Sequence, residues 1–433
     1  MSQDRSSTHL PTPNTLQSLN DLKPQAELFS SALLTKENKE LENLCLRLFN
    51  SPNIQATIEK LEKQLGSLPL AQTADAQKTL PSAVRELAMG AISYLAADDP
   101  QRPNIMLHES PPRRDWPGAR YIVDNPDNVY RIVAIDSHSQ YLITGKLGSA
   151  PPSQYLFELT SSWKGMTGEN HIAMLANHEV LVGFDGFFEI TIDNQPANGR
   201  ANHIQSTADA KYLMIRDVLS DWAKQSPNRL SIRRVSGPSL QPRRAFDKLT
   251  KDAEALVPEF VDYWLPILSS IQPVIDGEIP ELLLRTGGWG WVVNRRFTLV
   301  EDEVLVITVD PGSANYIGTQ VMDPWARSRN YINKTGSLNG AQAVSNPDGT
   351  YTYVLSNTDP KFVNWLSTDG LLNGYVSIRV QGIPSGGSIG GVKSFHILSI
   401  EDLPDRITRR HSSSISQTLL DKRMTSYSRR NDS

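Results

Sequence analysis

The stretch NHIQSTADAKYLMIRDVLSDW, residues 202–222, decides how the chain reads. It opens polar and becomes strongly apolar. Ser206 and Asp209 form an S-x-x-D helix start. Ala208, Tyr212, Ile215, Leu219 and Trp222 recur at three- and four-residue steps, which predicts a helix with these side chains on one face. Asp217 and Asp221 fall on the opposite face and are expected in solvent. Arg216 borders the apolar stripe, so its charged head can reach what lies beside the helix start. Asn202, His203 and Gln205 precede the predicted first turn, where free N–H groups favour an anion or a carbonyl oxygen.

Working towards the N-terminus, strands are expected at 129–136, 140–147 and 154–160, rich in Tyr, Val and Ile. Residues 179–184 and 187–193 flank Asp185-Gly186, a strong two-residue hairpin signal. With 230–235, these runs predict a first β-rich module over 121–240 carrying one inserted helix. Residues 96–120 are proline-dense and read as a solvated connector, although His108, Glu109, Arg113, Arg114, Asp115 and Trp116 make it chemically rich. Residues 21–100 read as helical. Thr35 caps a first helix bearing Leu41, Leu44, Leu48 and Phe49. Ile54, Ile58, Leu61 and Leu65 mark a second, and Pro81 is expected to open a third. Residues 1–20 are expected to be disordered.

Towards the C-terminus, a helix is expected over 246–270, with Pro266 kinking or ending it. Gly287–Trp291, GGWGW, reads as a strand or bend in which close backbone approach needs glycine. Strands at 349–356, 375–383 and 392–400 complete a second module over 246–400. Residues 404–433 read as a flexible basic tail. The predicted class is α+β: N-terminal helices followed by antiparallel β-sandwich, jelly-roll-like modules with inserted helices.

Bulk properties narrow the function. The 433 residues carry a formal net charge of -4, which leaves no nucleic-acid footprint. The lone cysteine, Cys45, allows no intrachain disulfide and reads as a buried structural thiol. No apolar run approaches the ~18 residues of a membrane span. The first residues lack the apolar segment of a secretory signal, so a cytoplasmic protein is expected. A homo-oligomer is compatible with this composition.

The C-terminal block NPDGTYTYVLSNTDPKFVNWLSTDGLLNGYVSIRVQGIP resembles the bacterial family known as domain of unknown function 1214. The matching features are Asn346, Asp348 and Gly349 in a turn, Asn364-Trp365-Leu366, and Arg379 near the end of a following strand. Gln205, Ile215, Arg216, Asp221 and Trp222 look similar to a second family element. Residues 125–136 resemble the start of the sheet in longer members. The resemblance spans roughly residues 121–384. It implies jelly-roll-like sandwich modules with attached helices and no settled chemistry.

No nucleophile elbow or phosphate-binding glycine motif is present. His171, His178, Glu179 and His203 lack metal-ligand spacing, so no metal and no cofactor are assigned. Trp289, Trp291, Trp325, Trp365 and Tyr331 are expected to line an apolar pocket. Arg216 and Arg379 are the charges suited to an anionic group there. The expected function is an enzyme acting on a small, largely apolar organic molecule with a polar or anionic handle. His203, Gln205 and Arg216 are its catalytic candidates, with His203 transferring the proton. Asn202, Trp289, Trp291, Tyr331, Asn364, Trp365 and Arg379 are its ligand-binding candidates. A non-catalytic ligand-binding or assembly module is the alternative.

Overall fold

The computed structural model describes residues 33, 35–113, 115–164, 170–285 and 290–403. The predicted segments at 1–20 and 404–433, and Trp289, lie outside the described residues. Three helices come first: α1 (Lys36–Phe49), α2 (Pro52–Gly66) and α3 (Ala74–Ala97). The Thr35 hydroxyl accepts from the Asn38 N–H at 3.1 Å, as the capping signal requires. Thr73 caps α3 in the same way. The helix therefore opens well before Pro81, which lies inside it. One lost backbone bond is tolerated because the rest of α3, from Ala83 to Ala97, is buried on almost every side. A fourth helix, α4 (Phe246–Ser270), runs through both Pro258 and Pro266.

Four antiparallel or mixed sheets follow, making an α+β fold. The first has the order β1 (Met106–His108), β2 (Asn128–Ala134), β8 (Tyr212–Val218), β4 (Gln154–Thr160), β5 (His171–Ala176). The second runs β7 (His203–Gln205), β6 (Phe187–Asp193), β3 (Gln140–Lys146), β9 (Arg229–Ser236). The third runs β10 (Leu283–Arg285), β11 (Gly290–Thr298), β17 (Asn373–Gln381), β13 (Tyr316–Met322), β14 (Ser337–Asn339). The fourth runs β16 (Trp365–Ser367), β15 (Tyr351–Ser356), β12 (Glu303–Asp310), β18 (Gly391–Ser399).

The stretch that was predicted as a helix is β8, the central strand of the first sheet. Leu213 and Ile215 point into a core shared with Ile143, Ile190 and Ile192 of the second sheet. Tyr212 and Met214 point the other way, into the helical core. Both faces are covered, so the strand is apolar throughout and its alternation is hidden. Helical spacing can always be found in such a run. Asp217, expected in solvent, is fully buried and receives hydrogen bonds from Arg131 and from the Asn228 backbone and side chain. No inserted helix interrupts the first module among the described residues.

The third sheet is built likewise. Val376, Ile378 and Val380 face a core shared with Leu305 and Ile307 of the fourth sheet, whereas Tyr375 and Met322 join the helical core. One helical layer thus packs on the outer faces of two different sheets. Two further expectations are corrected or met at turns. Residues 179–184 form no strand; β6 pairs with β3 and with β7 instead. At Gly290, φ is 106° and a Cβ would sit 1.9 Å from the Val380 carbonyl oxygen, so glycine is required for the expected close approach.

Candidate functional site

The outer faces of the first and third sheets carry polar residues where their neighbours carry core side chains. On β8, Arg216 follows Tyr212 and Met214 on the outward side, opposite Tyr130 of β2 and Leu156 of β4. On β17, Arg379 follows Tyr375 on the outward side, opposite Val292 and Gly318. The segment between β1 and β2 crosses the third sheet, and Arg379 donates to the Val123 carbonyl. Val123 has a φ of 66°, a strained conformation for a β-branched residue.

These strands bring Arg216, Arg379 and Arg285 into one electrostatic group. Burial, then repulsion from Arg379 and Arg216, lowers Arg285 to about 10. Arg216 stacks its guanidinium over Tyr130, 5.7 Å from the ring centre. Among the described residues, Arg216 and Arg379 form no ion pair, and the Nε of each is buried without a hydrogen-bond partner. Arg113, Arg131 and Arg329 also leave Nε unpartnered, but each of them is held in an ion pair, which Arg216 and Arg379 lack among the described residues.

Glu109 is the carboxylate closest in influence. It has a φ of 47°, and the Tyr121 hydroxyl favours its ionised form. Burial raises its carboxyl to about 7, against the stabilising pull of Arg216 and Arg379. The Tyr121 hydroxyl also meets His108 Nε2 at 3.0 Å and the Tyr94 hydroxyl at 3.3 Å. Burial lowers His108 to about 3, so this imidazole is neutral, and its Nδ1 has no partner. Glu158 of β4 uses one oxygen for His171 at 3.0 Å and leaves the other buried and unpartnered. Aromatic rings close the other side: Tyr121 lies 5.2 Å from Trp264 and 4.9 Å from Phe260 between ring centres. Trp264 Nε1 is also unpartnered. Glu109, Arg216 and Arg285 keep some accessible surface, yet desolvation is the first cause of the shift at both Glu109 and Arg285.

The fold has a solved counterpart. The crystal structure of an uncharacterized protein from Burkholderia cenocepacia is similar over 83% of this chain and 100% of its own, with a TM-score of 0.67 and 19% identity. The VPA0106 protein from Vibrio parahaemolyticus is a more distant likeness, at 13% identity and a TM-score of 0.38 over 63% of this chain and 89% of that one. No family model and no curated protein matches the chain. The first likeness shows the fold alone.

Of the residues singled out in the sequence, Arg216 and Arg379 both act on Glu109 and Arg285. The others lie elsewhere. His203 is on β7, at the far edge of the second sheet, with Nδ1 on the Thr191 hydroxyl at 2.9 Å and Nε2 on the Gln195 carbonyl at 2.8 Å. Both nitrogens are engaged in pinning a turn. Gln205 is exposed and reaches the Asn194 carbonyl. Asn202, at φ 50°, clasps the Leu181 backbone at 2.7 and 2.8 Å. These groups precede a strand, so the predicted helix N-terminus and its free N–H groups do not exist.

Trp291 is buried in the core between the third and fourth sheets and donates to the Ile389 carbonyl at 2.6 Å. Asn364 is buried and bonds to the Val344 and Thr352 backbone. Trp365 bonds to Ser356 and borders a small surface cavity with Lys334 and Asn357. Tyr331 packs edge-on against Trp222 and borders an open cleft of about 680 Å³ with Arg85, Trp116 and Arg120.

Reading the connector as solvated missed His108 and Glu109. Both come from β1 and the turn just after it. The available signal was the density of titratable groups in HESPPRRDW; proline obscured the short strand that buries them.

Proposed function

We propose that this protein binds a small organic anion, its charged end on Arg216 and Arg379 and its apolar part against Tyr121, Phe260 and Trp264. One observation carries the reading: half-buried Arg216 and buried Arg379, from different sheets, both act on Glu109 and Arg285, and the Nε of each has no partner. An arginine fork matches a carboxylate or similar oxyanion, and each charge-assisted bond contributes about 1.5–3 kcal/mol when buried. The ligand is thus the largely apolar molecule with an anionic handle expected from the sequence. The proposed binding place lies outside the sheet pairs, under the helical layer. We read each sheet pair as a jelly-roll-like β-sandwich module of the kind found in the domain of unknown function 1214.

Turnover is the second reading, favoured by Glu109 acting on the Tyr121 hydroxyl that meets His108. Glu109, poised near neutrality, takes over the proton-transfer role first given to His203. Calorimetric titration with benzoate, together with native mass spectrometry of the purified protein, tests the binding reading. Saturable binding that weakens about tenfold or more in Arg216→Ala and Arg379→Ala supports it. Binding unchanged in both variants, or absent from the wild type, refutes it.

A further inference from the structure

Two cavities meet at Asp369, and neither is bordered by Arg216 or Arg379. The smaller, about 430 Å³, is bordered by Asn333, Lys334, Thr335, Asn357, Trp365 and Asp369. The larger is the open cleft of about 680 Å³, which Asp369 borders together with Ser82 and Asn330. Both volumes lie in the range of roughly 300–1,000 Å³ common to ligand sites. The walls of the smaller cavity are held by local contacts. The Trp365 indole N–H is committed to Ser356, its carbonyl at 3.2 Å and its hydroxyl at 3.1 Å, while Trp365 itself is only half-buried. The Ser367 N–H donates to the Thr335 carbonyl at 3.1 Å, tying β16 to the segment that carries Asn333 and Lys334. At the turn that follows, φ is 55° at Asp369 and 86° at Gly370. A Cβ on Gly370 would meet nothing within 4 Å, so the space beside the turn is open.

The lining defines what fits. Its one cation, Lys334, pairs with its one carboxylate, Asp369, at 2.6 Å, and Arg329 reaches the other Asp369 oxygen at 3.0 Å. No charge in the smaller cavity is left to attract an ion. The other polar side chains are neutral amides and hydroxyls, and the buried Thr335 hydroxyl has no hydrogen-bond partner among the described residues. A matching ligand is uncharged, carries groups that both donate and accept, and offers an apolar face to an indole. A pyranose has all three: ring C–H groups make the face, and hydroxyls edge it.

We propose that the two cavities form a neutral oligosaccharide site, separate from the anion site proposed above. One pyranose lies on the Trp365 ring, with its hydroxyls on Asn333, Asn357 and the remaining lone pairs of Asp369. The sugar chain continues past Asp369 into the larger cleft.

The test is retention of the full chain on an array of neutral and acidic oligosaccharides, then calorimetric titration with the best-retained neutral one and its shorter forms. The expected result is salt-independent retention of a neutral oligosaccharide, with Kd raised about tenfold or more in Trp365→Ala and in Asn333→Ala. Trp365→Phe, which keeps a ring, should lose less than Trp365→Ala. Asn333 is exposed, so its variant keeps the test decisive if Trp365→Ala folds poorly. No neutral oligosaccharide retained, or affinity unchanged in both alanine variants, overturns the inference. Retention of acidic oligosaccharides alone, lost in salt, also overturns it and assigns binding to the exposed Lys78 and Arg85 at the cleft. A monosaccharide that binds as tightly as its oligomers overturns the extension into the cleft.

Discussion

Two arginine-rich regions flank the segment between β1 and β2, and they are wired differently. In the first, Arg120 and Arg327 both reach Glu86 at 2.7 Å, and Arg327 also grips Asp323 at 2.5 Å. Asp124 accepts from the Ser328 backbone and hydroxyl at 2.8 and 2.6 Å. In the second, Arg216 and Arg379 form no ion pair among the described residues, and Glu109 is their nearest electrostatic counterweight. Asp124 acts on both sides. The saturated cluster ties α3 to the loop around Arg327 as a structural joint, whereas Arg216 and Arg379 carry no ion pair among the described residues. Under the proposed reading, partner count, and not arginine content, separates a brace from a site.

This contrast is breakable, beginning with the largest effect. Glu86→Ala removes the carboxylate shared by Arg120 and Arg327, of which only Arg327 keeps another ion pair, with Asp323, and should cost about 3–5 kcal/mol in urea unfolding, while Arg216→Ala breaks no ion pair and should cost under about 1 kcal/mol. Equal losses would erase the distinction. In binding, the order reverses: Arg216→Ala and Arg379→Ala should lose about 1.5–3 kcal/mol of benzoate affinity, and Lys78→Ala in the open cleft should lose none.

Glu109→Gln sharpens the contrast through pH. The folded-state carboxyl is raised by burial from 4.5 to about 7. Wild-type stability is therefore fully retained below its unfolded pKa and is lost as pH rises through about 7. The thermal midpoint of Glu109→Gln should gain on the wild type between about pH 4.5 and 7 and stay ahead above that. A constant offset at all pH values would contradict the raised pKa. The smallest effect is at His203. His203→Ala should cost about 1 kcal/mol for two lost hydrogen bonds and leave benzoate affinity unchanged.

How much of this was legible in the residues depends on whether one face of an element meets water. The N-terminal helices are amphipathic, and the Thr35 cap and the Leu48, Ile54 and Ile58 stripes gave them correctly. The class, α+β, followed. β8 was misread because both its faces are buried, which removes the alternation that marks a strand. That error moved the candidate site to a helix start, and His203 and Gln205 went with it. Arg216 stands out because an arginine inside YLMIRDV is anomalous whatever the local structure. Arg379 stands out by the same token within VSIRVQ. Glu109 was obscured by prolines, and Arg285 by the glycines beside it; their roles depend on contacts between elements far apart in the chain.

Anomalous diffraction from crystals soaked in bromide tests the central claim most directly. The account predicts a bromide peak between the guanidiniums of Arg216 and Arg379, lost in Arg216→Ala, with none at the paired Arg120 and Arg327. Bromide at the paired arginines and none between Arg216 and Arg379 would contradict it.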